Sequence, residues 1–311
     1  MTRSGWSPAW LLGTLLSASA AVVPAQEQQS RPIFRAGVDS VTVDVSVKHG
    51  NVAIPGLAAT DFRLTDNGVA QTIQAVAVKA VPVDVTVFHD TSPSQGGRID
   101  DLKEDVRRIA ALLREGDRFR LLVLGPNHQI LDVFGWRASG AELDLTPIGL
   151  GPMSAVNDGI LAALVHKPGI GRRHLIVALT DGQDAGSAVS SAQVRDAAAR
   201  TEGVLHLVMM TTSSGTGPRS ATYWQPVGLE QDSQNRLREA AELTGGQVHD
   251  RFLGSPDPVA TFDRILDDFR ASYVLRYTPT GVEREGWHEI EVSVPSAPRA
   301  TVRARRGYYG S

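Results

Sequence analysis

The spacing of apolar residues changes twice along this chain. From Val38 the run V-D-S-V-T-V-D-V-S-V alternates with period two, as a half-buried antiparallel strand does. K-H-G-N follows as a turn. D-N-G at Asp66–Gly68 then stands between two short runs, 61–65 and 71–78, a strong hairpin signal. Residues 38–80 therefore read as a β-rich segment. Between 81 and 272 the pattern differs. V-D-V-T-V-F (83–88), F-R-L-L-V-L (119–124), H-L-I-V-A-L-T (174–180) and V-L-H-L-V-M-M (204–210) are near-continuous apolar runs. Amphipathic helical stretches at 101–114, 156–165 and 192–200 separate them, and I-L-D-V-F (130–134) reads as a hairpin partner. R-L-R-E-A-A-E-L and V-A-T-F-D-R-I-L-D-D-F predict two more helices. Such an alternation means a mostly parallel sheet with helices on both faces. Ser190 and Gln193 have capping-box spacing, and Gly245-Gly246 reads as a helix stop. Asp84 is out of place inside an apolar run and is expected at the strand's exposed start.

From Tyr273 the chain returns to alternating strands: Y-V-L-R-Y-T-P, H-E-I-E-V-S-V and A-T-V-R-A-R. Each β-rich end is small for an independent core. The two are expected to join as one composite β-sandwich, with the α/β domain of 81–272 inserted between segments 38–80 and 273–311. Ahead of them, Arg3 and the apolar run Trp10–Val23, followed by V-P-A, read as a signal peptide, 1–25, cleaved after Ala25. The run is short of the ~20 residues that span a bilayer. Residues 26–37 then form a polar linker, and the mature chain is expected to be exported, periplasmic or extracellular, without membrane insertion.

Composition narrows the chemistry. The 311 residues contain no cysteine, which excludes disulfides, thiolate nucleophiles and cysteine-ligated metals. A net charge of -3 offers no basic field for nucleic acid. In an open α/β sheet, ligands bind beyond the carboxyl ends of the strands. Asp90, Ser92 and Ser94 follow the first strand there, Asp181 follows H-L-I-V-A-L-T, and Ser154 lies just before the helix at 156–165. Two carboxylates and three hydroxyls are hard oxygen donors of low total charge, suited to Mg²⁺ or Mn²⁺. Such a shell leaves the cation partly uncompensated, with a position open to an outside carboxylate.

The D-x-S-x-S of Asp90, Ser92 and Ser94, the Ser154 hydroxyl and the T-D-G of 180–182 together resemble the metal-ion-dependent adhesion site of von Willebrand factor type A domains. Y-V-L-R-Y-T-P, R-R-G-Y-Y (305–309) and L-T-G-G (243–246) are similar to segments of the bacterial VWFA-related proteins. The resemblance covers nearly all of the mature chain. It implies a Rossmann-like A domain and a divalent cation. It also implies a protein ligand whose Asp or Glu completes the shell, with Asp90, Ser92, Ser94, Ser154 and Asp181 around the metal. It does not imply catalysis. The chain departs from the usual pattern at Ser154, where Thr is usual, at Pro93, often Gly, and at Gln95, where Met is common.

Other residues have plainer readings. Asp158 suits a helix N-terminus. Asp184 reads as a solvated loop carboxylate or as a support for the metal shell. The eight histidines show no spacing fit for zinc, and His89 faces away from its neighbour Asp90. The loop 211–228 leaves a parallel strand on the same edge as Asp90 and carries Tyr223 and Trp224, residue types common at binding hot spots. They are candidates for partner contact, or else pack on their own domain. Two rivals stand beside the adhesion reading. One is an envelope scaffold with a degenerate metal site. The other is a hydrolase, against which the absence of D-x-D, of G-x-G-x-x-G and of any evident nucleophile set counts.

Overall fold

A computed structural model describes residues 40–77, 81–92, 99–127, 129–210, 227–251 and 257–310. The expected signal segment and linker lie outside these residues. The chain opens with β1 (Val41–His49), β2 (Val52–Ala53), β3 (Arg63–Asp66), β4 (Val69–Ala70) and β5 (Ile73–Ala77). The central part runs β6 (Val83–His89), α1 (Ile99–Ala111), β7 (Arg118–Leu124), β8 (Ile130–Asp132), β9 (Arg137–Ala138), α2 (Val156–Val165), β10 (Arg173–Thr180), α3 (Ser191–Ala198) and β11 (Val204–Met210). It ends with α4 (Val227–Leu243), β12 (Val248–Arg251) and α5 (Pro258–Ala271). The last elements are β13 (Tyr273–Tyr277), β14 (Gly286–Ser293), β15 (Thr301–Ala304) and β16 (Gly307–Gly310).

The central sheet has the order β12-β11-β10-β6-β7-β8, with β9 also on β7. Its pairings are parallel except those of β8 and β9 with β7. Strand periodicity sorts its two faces. Val83, Val85 and Val87 pack with Val106 and Ile109 of α1 and Phe262 and Leu266 of α5. Phe88, Ile176 and Ala178 pack with Val156 and Ile160 of α2, Val194 of α3 and Leu237 of α4. The chain is therefore α/β, with helices on both faces, as the apolar runs predict. Ser190 caps α3 by a capping box with Gln193, also as predicted.

The β-rich ends pair with each other. β13 lies between β1 and β5, and β14 lies between β3 and β16. The two sheets share one core, with Val43, Val45 and Val47 of β1, Leu64 of β3, Tyr273 and Leu275 of β13 and Ile290 of β14. The D-N-G turn closes β3 on β4, with Asn67 at φ 47° and Gly68 at φ 77°, the left-handed pair of a type I′ hairpin. The predicted hairpin partner at 71–78 is corrected. After the turn Val69–Ala70 pairs with β3, and β5 crosses to the other sheet and pairs with β13. Buried Gln71 marks the switch, its side chain donating to the carbonyls of Val69 and Thr280 and accepting from the Thr280 N–H.

One sequence expectation about a charged group fails. Asp84 is not at an exposed strand start; it is fully buried. Its carboxylate accepts from Arg118 Nε and Nη2 at 2.8 and 2.5 Å, from the Gly169 N–H at 2.9 Å and from Arg172. These guanidiniums make burial of the charge tolerable. His206 and His249 stack, with Nδ1 and Nε2 3.0 Å apart, because β11 and β12 are neighbours in the sheet. Burial holds them neutral, at about 3 and about 4.

Burial alone pushes the Asp84 carboxyl up, but the bonds from Arg118, Gly169 and Arg172 outweigh it and hold the group below its ordinary value. A depressed folded-state value contributes stability above the unfolded pKa of ~4, lost as pH falls through the folded value. Asp84→Ala is expected to cost about 3 kcal/mol in urea unfolding at pH 7, because it strands two guanidiniums. Asp84→Asn is expected to flatten the loss of stability below pH ~4. An unchanged acid limb would contradict the assignment.

Candidate functional site

β6 lies between β7 and β10, so the connections leave it in opposite directions. The carboxyl ends of β6 and β10 are thus the switch point of the sheet, where α/β folds bind ligands. Asp90 follows β6 and Asp181 follows β10. The register pairs His89 with Leu179, which sets Asp90 beside Thr180. Both continue the alternate positions that face α2. Helix α2 comes close to β6 because residue 159 is glycine: a Cβ there would lie 2.1 Å from the Phe88 ring. That close approach brings the loop before α2, with Ser154, to Asp90.

The resulting geometry centres on one buried carboxylate. Asp90 is 0% exposed, and Ser92 and Ser154 are buried with it. Oδ2 of Asp90 accepts from Thr180 Oγ1 at 2.9 Å and from Ser154 Oγ at 3.2 Å. Oδ1 accepts from the Ser92 N–H at 2.9 Å. Ser154 Oγ also lies 2.6 Å from the Gln183 carbonyl, and the Ser154 carbonyl accepts from the N–H groups of Ala185 and Gly186. Asp181 Oδ1 accepts from the Gln183 N–H at 3.0 Å. Three loops are therefore laced together: the one after β6, the one before α2 and the one after β10. Of the residues expected from sequence, Asp90, Ser92 and Ser154 come together, and Asp181 sits on the adjoining loop. Ser94, Tyr223 and Trp224 lie outside the described residues.

Sequence reasoning missed the roles of two residues. Thr180 was read only as part of T-D-G, yet it bonds Asp90 directly and accepts the Gly182 N–H at 3.0 Å. Strand parity would have found it, since Thr180 and Asp90 share a face. Asp184 is not a solvated carboxylate. It accepts from the Val156 N–H, from Asn157 Nδ2 and from Ser187 Oγ, and so fastens the start of α2 to the loop after β10. Burial pushes its carboxyl up, opposed by these bonds. Asp158, in the first turn of α2, accepts from the N–H groups of Ala188 and Val189. His89 is buried, with Nδ1 3.0 Å from the Asp90 carbonyl oxygen.

The donor set fits a small hard cation. Oxygens from carboxylate and hydroxyl converge without any imidazole or thiolate among them. Each serine hydroxyl keeps lone pairs for a metal, whichever way its proton points. Among the described residues no three of His, Cys, Asp and Glu gather into a metal cluster, at the Asp90 edge or away from it.

The strand order, with Asp90 and Thr180 side by side at the switch point, makes the central part an open, mostly parallel α/β domain with helices on both faces. No family model and no curated protein matches the sequence. Solved structures similar to it include the ArnB paralog VWA2 from Sulfolobus acidocaldarius, at 14% identity, 86% of this chain, 76% of that chain and TM-score 0.45. The protein BatB from Bacteroides thetaiotaomicron is similar at 14% identity, over 60% of this chain and 98% of that chain, with TM-score 0.41. A von Willebrand factor type A protein from Catenulispora acidiphila is similar at 12% identity, over 88% of this chain and 75% of that chain, with TM-score 0.41.

Thr180→Val removes one donor from a buried carboxylate and one acceptor from the Gly182 N–H. It is expected to cost about 1–3 kcal/mol in chelator-treated protein, read by urea unfolding. A neutral effect would mean that Asp90 is not held as described.

Proposed function

We propose that the chain is an exported binding module that recognises an acidic side chain of a protein ligand through Mg²⁺ or Mn²⁺ at the Asp90 edge, and that it is not an enzyme. The observation that carries this reading is the convergence of Asp90, Ser92, Ser154 and Thr180 from three loops at the switch point. Ser92, Ser94 and Ser154 would hold the cation through hydroxyl oxygens, with Asp90 and Asp181 bound directly or through water. When bound, the cation supplies an electrophilic centre for a ligand carboxylate. The chain's own contribution is preorganisation. Thr180 and the Ser92 N–H fix both oxygens of Asp90, and Asp184 fixes the loop that presents Ser154. Few charges surround the metal position, so an outside carboxylate gains more there than it would in a fully neutralised shell.

Binding is favoured over catalysis by what stands near Asp90. His89 is buried, turned to a backbone carbonyl and held below its usual value by desolvation, a poor general base. Export is supported by the apolar run at 10–23, which reads as a signal peptide. No helix among the described residues is long and apolar enough to cross a membrane.

Calorimetric titration of chelator-treated protein with Mg²⁺ and Mn²⁺ tests the reading. Saturable binding is expected, lost in Asp90→Ala and at least tenfold weaker in Ser154→Ala. Acetate, as the simplest carboxylate, is expected to tighten Mn²⁺ binding by linkage, where chloride at equal ionic strength does not. A chain that takes up neither ion, with or without acetate, would overturn the metal reading and leave the scaffold.

A further inference from the structure

The central domain and the β-rich part meet at a polar seam, and a groove of about 620 Å³ opens along it. One wall is the end of α4 with the segment Gly245–Val248; the other is β14 and β15. Four arginines line it, Arg238, Arg303, Arg305 and Arg306, against Glu242 and Glu291. Glu242 is already engaged by Arg306 at 2.5 Å. Among the described residues no carboxylate lies within ion-pair distance of Arg303 or Arg305. Arg305 is half-buried; its Nε donates to the Gly307 carbonyl at 2.8 Å, and its guanidinium lies 6.0 Å from the Tyr308 ring centroid. Desolvation lowers its value, and Glu202 and Asp44 act on it only through space. Asp44 and Glu202, which border a small cavity with it, offset part of the cost of burying this cation.

The groove is also bordered by open backbone. β15 is the last strand of its sheet, and an edge strand presents unpaired peptide groups. The turn before β12 pins the end of this edge. A Cβ on Gly245 would meet the Ala304 carbonyl carbon and the Arg305 nitrogen at 2.8 Å, and the Arg306 N–H donates to the Leu243 carbonyl at 3.0 Å. At the inner end, Arg264, Arg303 and Lys48 oppose positive charge on His249, while Asp268, paired with Lys48, favours it.

We propose that this groove binds an extended acidic segment of a partner protein, which adds as a strand to the outer edge of β15 and sets its carboxylates against Arg303 and Arg305. Main-chain bonds to the edge supply affinity, and the alternate side chains supply selectivity. Carboxylate–guanidinium contacts are among the stronger hydrogen bonds available to such a ligand. The site is separate from the Asp90 edge and needs no metal.

The probe is a fluorescein-labelled alternating decapeptide, (Glu-Thr)5, titrated with the full chain and read by anisotropy. Saturable binding is expected, weakened at least tenfold by Arg303→Glu and unchanged by EDTA or by Asp90→Ala. The same peptide N-methylated at alternate residues keeps its charge but cannot pair with an edge; it is expected to bind at least tenfold more weakly. No binding of (Glu-Thr)5 would overturn the proposal. So would an Arg303→Glu variant of native circular dichroism that binds equally well. Equal binding of the N-methylated peptide, or of polyphosphate of matched charge, would overturn strand addition and leave a groove that attracts charge alone. Loss of binding in EDTA would place the peptide at the Asp90 edge instead.

Discussion

The carboxylate of Asp90 is the constraint around which the upper edge of the central domain is arranged. A fully buried carboxylate cannot stand without donors, and it draws them from three loops: the Ser92 N–H, the Ser154 hydroxyl and the Thr180 hydroxyl. Each donor is fixed in turn. Thr180 follows from strand register, Ser154 from the close packing of α2 on Phe88 at Gly159, and both loops from Asp184 and the Ser154 carbonyl. A carboxylate held this way cannot swing away from its place. The proposed binding of a cation and a ligand carboxylate draws on that rigidity, since oxygens preset around one point need little reordering on binding.

A second set of charged contacts ties this domain to the β-rich part. β1 sends Val43, Val45 and Val47 into its own core, while the opposite face meets the central domain. Asp44 pairs with Arg173 at the start of β10, at 2.5 Å, and Lys48 pairs with Asp268 of α5. Arg173 also donates to Ser272 at 2.5 Å and lies 3.9 Å from the Phe269 ring centroid. The seam is therefore tied by paired charges. The groove with Arg303 and Arg305 is part of the same polar boundary.

Much of this was legible in the order of residues. Continuous apolar runs gave the parallel sheet, alternation gave the β-rich ends, and the placement of D-x-S-x-S after the first strand marked the switch point. What escaped was whatever depends on which strands become neighbours. Asp84 reads as an anomaly until β7 and the loop before β10 bring Arg118 and Arg172 to it. His206 and His249 are 43 positions apart and meet only because β11 and β12 pair. Thr180 looks like a strand residue until register sets it beside Asp90. The polar face of β1 shows its period in sequence, but the sequence does not say that a second domain, and not water, covers it. Turn chemistry was legible at Asn67-Gly68, whereas the crossing of β5 to another sheet depends on the long-range bonds of Gln71 to Thr280.

The most direct measurement of the central claim is an anomalous difference map from a crystal soaked in Mn²⁺ after chelator treatment. The account predicts one strong peak at the carboxyl ends of β6 and β10, within coordination distance of the Ser92 and Ser154 hydroxyl oxygens and absent in Asp90→Ala. A peak at His206 and His249, or no peak at the switch point at saturating Mn²⁺, would contradict it.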